Sequence, residues 1–302
     1  MKTTMKTVIL IITFVSVNAF FVDLPSDDGC TWEENPVEMF VFNFQEKAIF
    51  PTTSSLLYSD KDAVLFDAQF SLKEANKIVR FVQNINAKLR LIIITCGDPD
   101  YYFGLQAIVE AFPSVEIVAS PKVANYINQT KDAKLNFWGS KLAHNAPNEL
   151  YVPKPIDRDM FHVDNKKEVR MMEMDSYAAY VWIPEDKMIL GGVGIYSGIH
   201  VWTADTPTPE MRLNWRKVLQ KMIDLEPQVV IPGHFIGKRQ IYDDGAIRFT
   251  LKYLETLEKI LEQNNYKNST AVINYMKEKF LGLGLESNLE LGAKVLTGEM
   301  KL

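Results

Sequence analysis

Cysteine and histidine are scarce in this chain of 302 residues, with two of the first and four of the second. Two cysteines, Cys30 and Cys96, do not make a disulfide framework, so the fold must rest on a hydrophobic core. They leave open either a single bridge or a free Cys96 with a chemical task. Basic blocks are missing as well. The 33 Lys plus Arg against 38 Asp plus Glu give a formal charge of −5, and no Lys/Arg run is long enough to track phosphates. Nucleic acid is therefore not an expected partner. Fixed-period repeats and Ser/Gly/Pro-rich linkers are absent too. What is present, 47% hydrophobic and 24% charged residues, is the composition of a globular protein with a sizeable core.

Long apolar runs are lacking except at the start. Lys2 and Lys6 precede the run from Val8 to Val15, and Val17-Asn18-Ala19 offers small residues before a cut. Residues 1–19 read as a secretory signal peptide. The run is shorter than the roughly 20 residues that cross a bilayer, which leaves a retained anchor as the competing reading. Cleavage would remove two lysines, move the charge from −5 to −7, and leave no stable membrane insertion. The triplets Asn128-Gln129-Thr130 and Asn268-Ser269-Thr270 fit the N-glycosylation pattern and agree with that route. The expectation is a mildly acidic glycoprotein, extracellular or periplasmic according to its source.

Residues 20–36 read as an entry segment and residues 37–302 as one domain with a C-terminal helical extension. Short β-type runs alternate with helical patterns, which predicts an α/β fold. Ser54 to Ser59 and Ala63 to Phe66 read as strands. Ala75, Ile78, Val79 and Val82 have helical spacing. Leu91-Ile92-Ile93-Ile94 is a strand buried on both faces. A helix is predicted over Tyr102 to Ala111, and another opens at Ser120-Pro121. Four consecutive strands follow between Asp159 and Leu190, then a helix from Pro209 to Leu225. Ile247, Leu251, Leu254 and Leu261 mark a long amphipathic helix, and two shorter ones follow.

Chemistry concentrates where strands end. The loop Thr95-Cys96-Gly97-Asp98-Pro99-Asp100-Tyr101 delivers a thiol and two carboxylates at alternating positions, a donor set suited to a divalent metal. Ordinary turn chemistry explains the same residues equally well. Pro232-Gly233-His234 again places one ligand-capable side chain just past a buried strand. The stretch Gly191 to Asp205 has four glycines within eight residues but neither a dinucleotide fingerprint nor a P-loop, and it offers His200 and Asp205 as site contacts. His144 and His162 sit in surface-type and strand settings and read as structural.

Taken in order, these features resemble the metallo-β-lactamase superfamily. Val64-Leu65-Phe66-Asp67 matches the strand ending in Asp, Ile94 to Gly104 matches the signature loop, and Gly191-Gly192 and Pro232-Gly233-His234 match the later motifs. The loop is closest to a divergent branch with Asp-Pro-Asp-Tyr-Tyr-Phe-Gly. The resemblance implies an αββα four-layer sandwich with one or two metals on the strand-end loops. Mapped position by position, the family's His-x-His-x-Asp-His falls on Cys96, Asp98, Asp100 and Tyr101, so Asp100 alone keeps the family residue. Asp175 is the nearest candidate for the next ligand, His234 matches the last histidine, and the bridging aspartate falls on Val193.

A full two-metal set is thus absent. The expectation is one divalent ion, zinc before iron or manganese, held among Cys96, Asp98, Asp175 and His234, or no ion at all. With an ion, Asp100 would orient a metal-activated water, and His200 or Tyr101 would steady charge during hydrolysis of an ester, lactone or phosphodiester. Without one, the chain is an inactive relative that binds a small molecule.

Overall fold

The computed structural model describes residues 19–21, 37–176, 179–237, 243–262 and 268–301. The segment up to Asn18 expected to be a signal peptide, Cys30 and the rest of the expected entry segment beyond Phe21 lie outside the described residues. Strands β1 (Ala19–Phe21), β2 (Glu38–Phe42), β3 (Ser54–Tyr58) and β4 (Asp62–Phe66) pair antiparallel in chain order. Helix α1 (Leu72–Asn84) then crosses to β5 (Lys88–Ile94), which runs parallel to β4. Ser71 caps α1 and Glu74 returns a bond to the Ser71 backbone, a reciprocal capping box that fixes where the helix begins.

The signature loop opens α2 (Pro99–Tyr102), followed by α3 (Leu105–Ala111), β6 (Glu116–Ala119), α4 (Pro121–Leu142) and β7 (Lys154–Pro155). The helix expected over Tyr102 to Ala111 is therefore two short helices, and the first starts early. Pro99 occupies its first turn, where a missing N–H costs nothing. Strands β5, β6 and β7 are parallel and complete a seven-stranded sheet.

The second sheet starts as a meander of β8 (Met160–Val163), β9 (Lys167–Met172), β10 (Tyr180–Ile183) and β11 (Met188–Leu190). After β12 (Tyr196–Ser197) and α5 (Pro209–Asp224), β13 (Val229–Ile231) joins this sheet parallel to β11. Strand β14 (His234–Phe235) pairs parallel with β12 as a separate ribbon. Helices α6 (Gly245–Glu262), α7 (Ser269–Lys279) and α8 (Glu286–Leu296) close the chain.

Burial explains the layering. Alternate residues of the two sheets face each other, with Met39, Val41, Phe66 and Ile93 packed against Val169, Val181, Ile183 and Ile231. The outer face of the first sheet buries Leu65, Ile92 and Ile94 under Ile78, Ile108 and Ile127 of α1, α3 and α4. Tyr180, Ile189 and Val230 of the second sheet pack under Leu219, Ile247 and Leu254 of α5 and α6. This is the αββα arrangement, with α7 and α8 adding a further cluster around Tyr253 and Met276. Phe40, Phe42 and Phe44 are buried in the core. Among the described residues no helix is long and apolar enough to cross a membrane.

Candidate functional site

Strands β4 and β5 end side by side, and the chain after each turns back across the sheet edge. Asp67 takes a positive φ of 62° and accepts from the Thr95 backbone N–H at 2.8 Å and the Thr95 hydroxyl at 2.7 Å. Burial pushes its carboxyl up to about 8 against those two bonds, and Asp67 clamps the two strand ends together. The Ala68 N–H donates to the Tyr101 carbonyl at 2.7 Å, and the Gly104 N–H donates to the Gln69 carbonyl at 2.9 Å. Gly104 is required there, since a Cβ would stand 2.0 Å from the Ala68 carbonyl oxygen.

That clamp aims Asp100 and Tyr101 at His234, which arrives from β14. His234 Nε2 lies 2.8 Å from Asp100 Oδ2, and its Nδ1 lies 3.1 Å from the Tyr101 hydroxyl. The Thr52 hydroxyl donates to the same Asp100 oxygen at 2.5 Å. With the proton on Nε2, every donor meets an acceptor: Tyr101 O–H to Nδ1, Nε2–H to Asp100, and Thr52 O–H to Asp100. Tyr196 stacks on the imidazole, with ring centroids 5.0 Å apart and planes 9° apart. Asp100, Tyr101 and His234 are all buried, so the chain of bonds is sealed. The Tyr101 hydroxyl is wedged beneath the imidazole, 2.8 Å from where a Cβ on Gly233 would stand. Burial first, then the Asp100 charge, holds that phenol well above the ordinary tyrosine range.

Cys96 and Asp98 belong to a second group nearer the surface. Cys96 is a free, fully buried thiol that donates to Asp98 Oδ2 at 3.4 Å. Burial first, then the Asp98 charge, holds it well above the usual thiol range. Lys134 of α4 donates to Asp98 Oδ1 at 3.1 Å and to the Gly97 carbonyl at 2.8 Å, and lies over the Tyr126 ring at 4.3 Å. Burial pulls this ammonium down, but Asp98 and Tyr126 more than offset it, and its pKa stands above the lysine norm. Asp205 accepts from the Trp202 indole N–H at 2.5 Å. Burial, followed by the Asp98 charge, pushes its carboxyl up to about 6.

Of the residues expected to form the site, the structure thus gathers Asp100, Tyr101 and His234 in one network, with Cys96 and Asp98 beside it. Asp175 stands exposed on the turn between β9 and β10, outside both groups. His200 lies under the C-terminal helices, where its Nδ1 is 3.0 Å from the Tyr253 hydroxyl and Asn288 bonds its carbonyl. Burial lowers its pKa. His144 and His162 are exposed. Thr52, Lys134 and Tyr196 were missed, because they come from distant segments and carry no motif of their own.

A metal does not fit this donor set. The imidazole and Asp100 are bonded to each other, Asp98 is paired with Lys134, and Val193 offers nothing at the bridging position. Among the described residues no three His, Cys, Asp or Glu side chains are grouped to hold an ion.

Residues 49–234, more than half of the chain, match the family described as the metallo-beta-lactamase superfamily. A metallo-beta-lactamase from Pontibacter korlensis is similar in structure, with a TM-score of 0.51, 14% identity, and coverage of 74% of this chain and 99% of that one. A structure of VMB-1 at pH 5.5 gives a TM-score of 0.51 at 13% identity, covering 81% of this chain and 100% of that one. At such identity these likenesses show the fold. No curated protein matches the chain.

Proposed function

We propose that the chain, which belongs to the metallo-β-lactamase superfamily, works without the metal its fold relatives use and acts by binding a small molecule. The observation that carries this reading is the closed chain Thr52–Asp100–His234–Tyr101, which uses both imidazole nitrogens and an Asp100 oxygen internally. A ligand donor must have a lone pair free, and the imidazole has none left, with a proton on Nε2 and its Nδ1 lone pair taken by the Tyr101 hydroxyl. The same bonds join the signature loop to β14, so they do the mechanical task that a shared ion does elsewhere. The N-terminal segment and the two sequons support a secreted protein.

Thermal unfolding in the presence of zinc and of a chelator tests this reading. Anything that binds the folded state alone raises its melting temperature by mass action. The expected result is the same melting temperature with zinc, manganese or chelator. A rise of several degrees with one ion, lost in Asp100→Ala and His234→Ala, would overturn the reading and restore the metal-dependent hydrolase.

A further inference from the structure

We infer that the mouth of this site, Asp205 and Asp98 with Lys134 beside an aromatic ridge, receives an organic ammonium ion that carries an apolar group. The inference rests on the metal-free reading, because an ion on Asp98 would bring the positive charge that is otherwise missing.

Charge comes first. Of two half-buried carboxylates, Asp98 holds the ammonium of Lys134, which is committed to it and to the Gly97 carbonyl. Asp205 has a neutral indole N–H as its donor. The group thus holds one uncompensated negative charge in a place partly withdrawn from water, which favours a cation and repels an anion.

Shape follows from the rings. Phe50 packs edge-on to Trp138 at 5.3 Å and to Trp202 at 6.2 Å, and Trp138 meets Phe137 at 4.9 Å. Trp202 is the hinge of the arrangement, since one edge bonds Asp205 and its ring continues the ridge. Phe137 and Ile49, 56% and 42% exposed, extend the apolar surface outward. The ridge already attracts a cation: Lys141 Nζ lies 3.5 Å from the Phe137 centroid and 5.0 Å from that of Trp138.

A separate observation points to a head group. Tyr102 is 1% exposed, and among the described residues its hydroxyl has no hydrogen-bond partner. The ionisable groups nearest to act on it are Asp98, Tyr126 and Cys96, the inner wall of this same cluster. A buried hydroxyl left unpaired is costly. An N–H head group seated on Asp98, or a water it brings, would give Tyr102 its partner.

Calorimetric titration with benzylammonium and benzyltrimethylammonium, against phenylacetate and benzyl alcohol, tests the inference on the full chain. Metal content is measured on the same sample. The expected result is binding of at least one cation and of neither comparator, with affinity falling about tenfold or more in Asp205→Asn and in Trp202→Leu. Circular dichroism monitors folding of each variant, and Asp98→Asn serves as a further carboxylate variant if Asp205→Asn fails to fold. Metal-free protein that ignores both cations, binds phenylacetate as well, or binds them unchanged in these variants would overturn the inference and leave the metal-free reading standing. Stoichiometric metal would overturn both.

Discussion

His234 and His200 make nearly the same bond in two different neighbourhoods. Each is buried and each sets Nδ1 against a tyrosine hydroxyl, Tyr101 at 3.1 Å and Tyr253 at 3.0 Å. The difference lies at the other nitrogen. His234 Nε2 meets Asp100, which is itself held by Thr52, whereas the groups whose charges reach His200 are the more distant Glu286 and Lys277. One histidine ties two loops and two sheets together, and the other steadies a joint in the helical extension. A buried imidazole after a strand is therefore not a site by itself; what its second nitrogen touches decides.

His234→Ala leaves Tyr101 and Asp100 without the imidazole that joins them, and its cost is about 3 kcal/mol. His200→Ala removes one bond of the Tyr253 hydroxyl, which keeps its bond from the Val201 backbone, and costs about half as much. Urea unfolding of the two variants gives the ranking directly, and equal losses would remove the distinction.

Acidity separates the two regions in opposite senses. Asp67, which supports the His234 loops, has its carboxyl pushed up to about 8 by burial, so the folded state keeps a proton that the unfolded chain releases near its ordinary 3.8. That stabilisation is complete below about pH 4 and is lost as pH rises towards 8, a swing on the order of a few kcal/mol. Asp67→Asn should flatten the slope in urea midpoints between pH 4.5 and 8.5. His200 works the other way. Burial lowers its pKa, so its contribution is present above the ordinary 6.5 and declines as pH falls below it. His200→Gln should reduce the loss of stability on the acid side while leaving the alkaline slope intact.

Smaller changes sharpen the picture. Tyr101→Phe and Tyr253→Phe each remove one bond to an Nδ1 and should each cost about 1 kcal/mol. Because His234 is also bound to Asp100, a double-mutant cycle of Tyr101→Phe with Asp100→Asn should show coupling of more than about 0.5 kcal/mol, while Tyr253→Phe with Asp100→Asn should be additive. Asp98→Asn, at the mostly buried Lys134 pair, weakens a charge-assisted bond to that ammonium and should cost about 1 kcal/mol.

Much of the architecture was legible because it follows local periodicity. The β-branched run at Leu91 to Ile94, the helical spacing from Ala75 to Val82, and the ladder from Ile247 to Leu261 each point to one structure. Asp100, Tyr101 and His234 were legible as strand-end residues, and the structure brings them together. Asp175 and His200 were drawn towards the site by sequence order, which does not encode which way a loop turns. Asp175 stands exposed on the turn between β9 and β10, and the His200 segment turns under α6 and α8. Lys134 could not have been found, since a lysine in the middle of a 22-residue helix reads as solvated surface until the loop at Gly97 packs against it.

That protein hydrogen bonds take the place of a metal at this site is tested by elemental analysis of the protein, purified without chelator or metal-affinity resin and then offered zinc, iron and manganese. The expected result is far less than one equivalent of each in the wild type, with no difference in Asp100→Ala or His234→Ala. Near-stoichiometric metal that falls in those variants would overturn the metal-free reading.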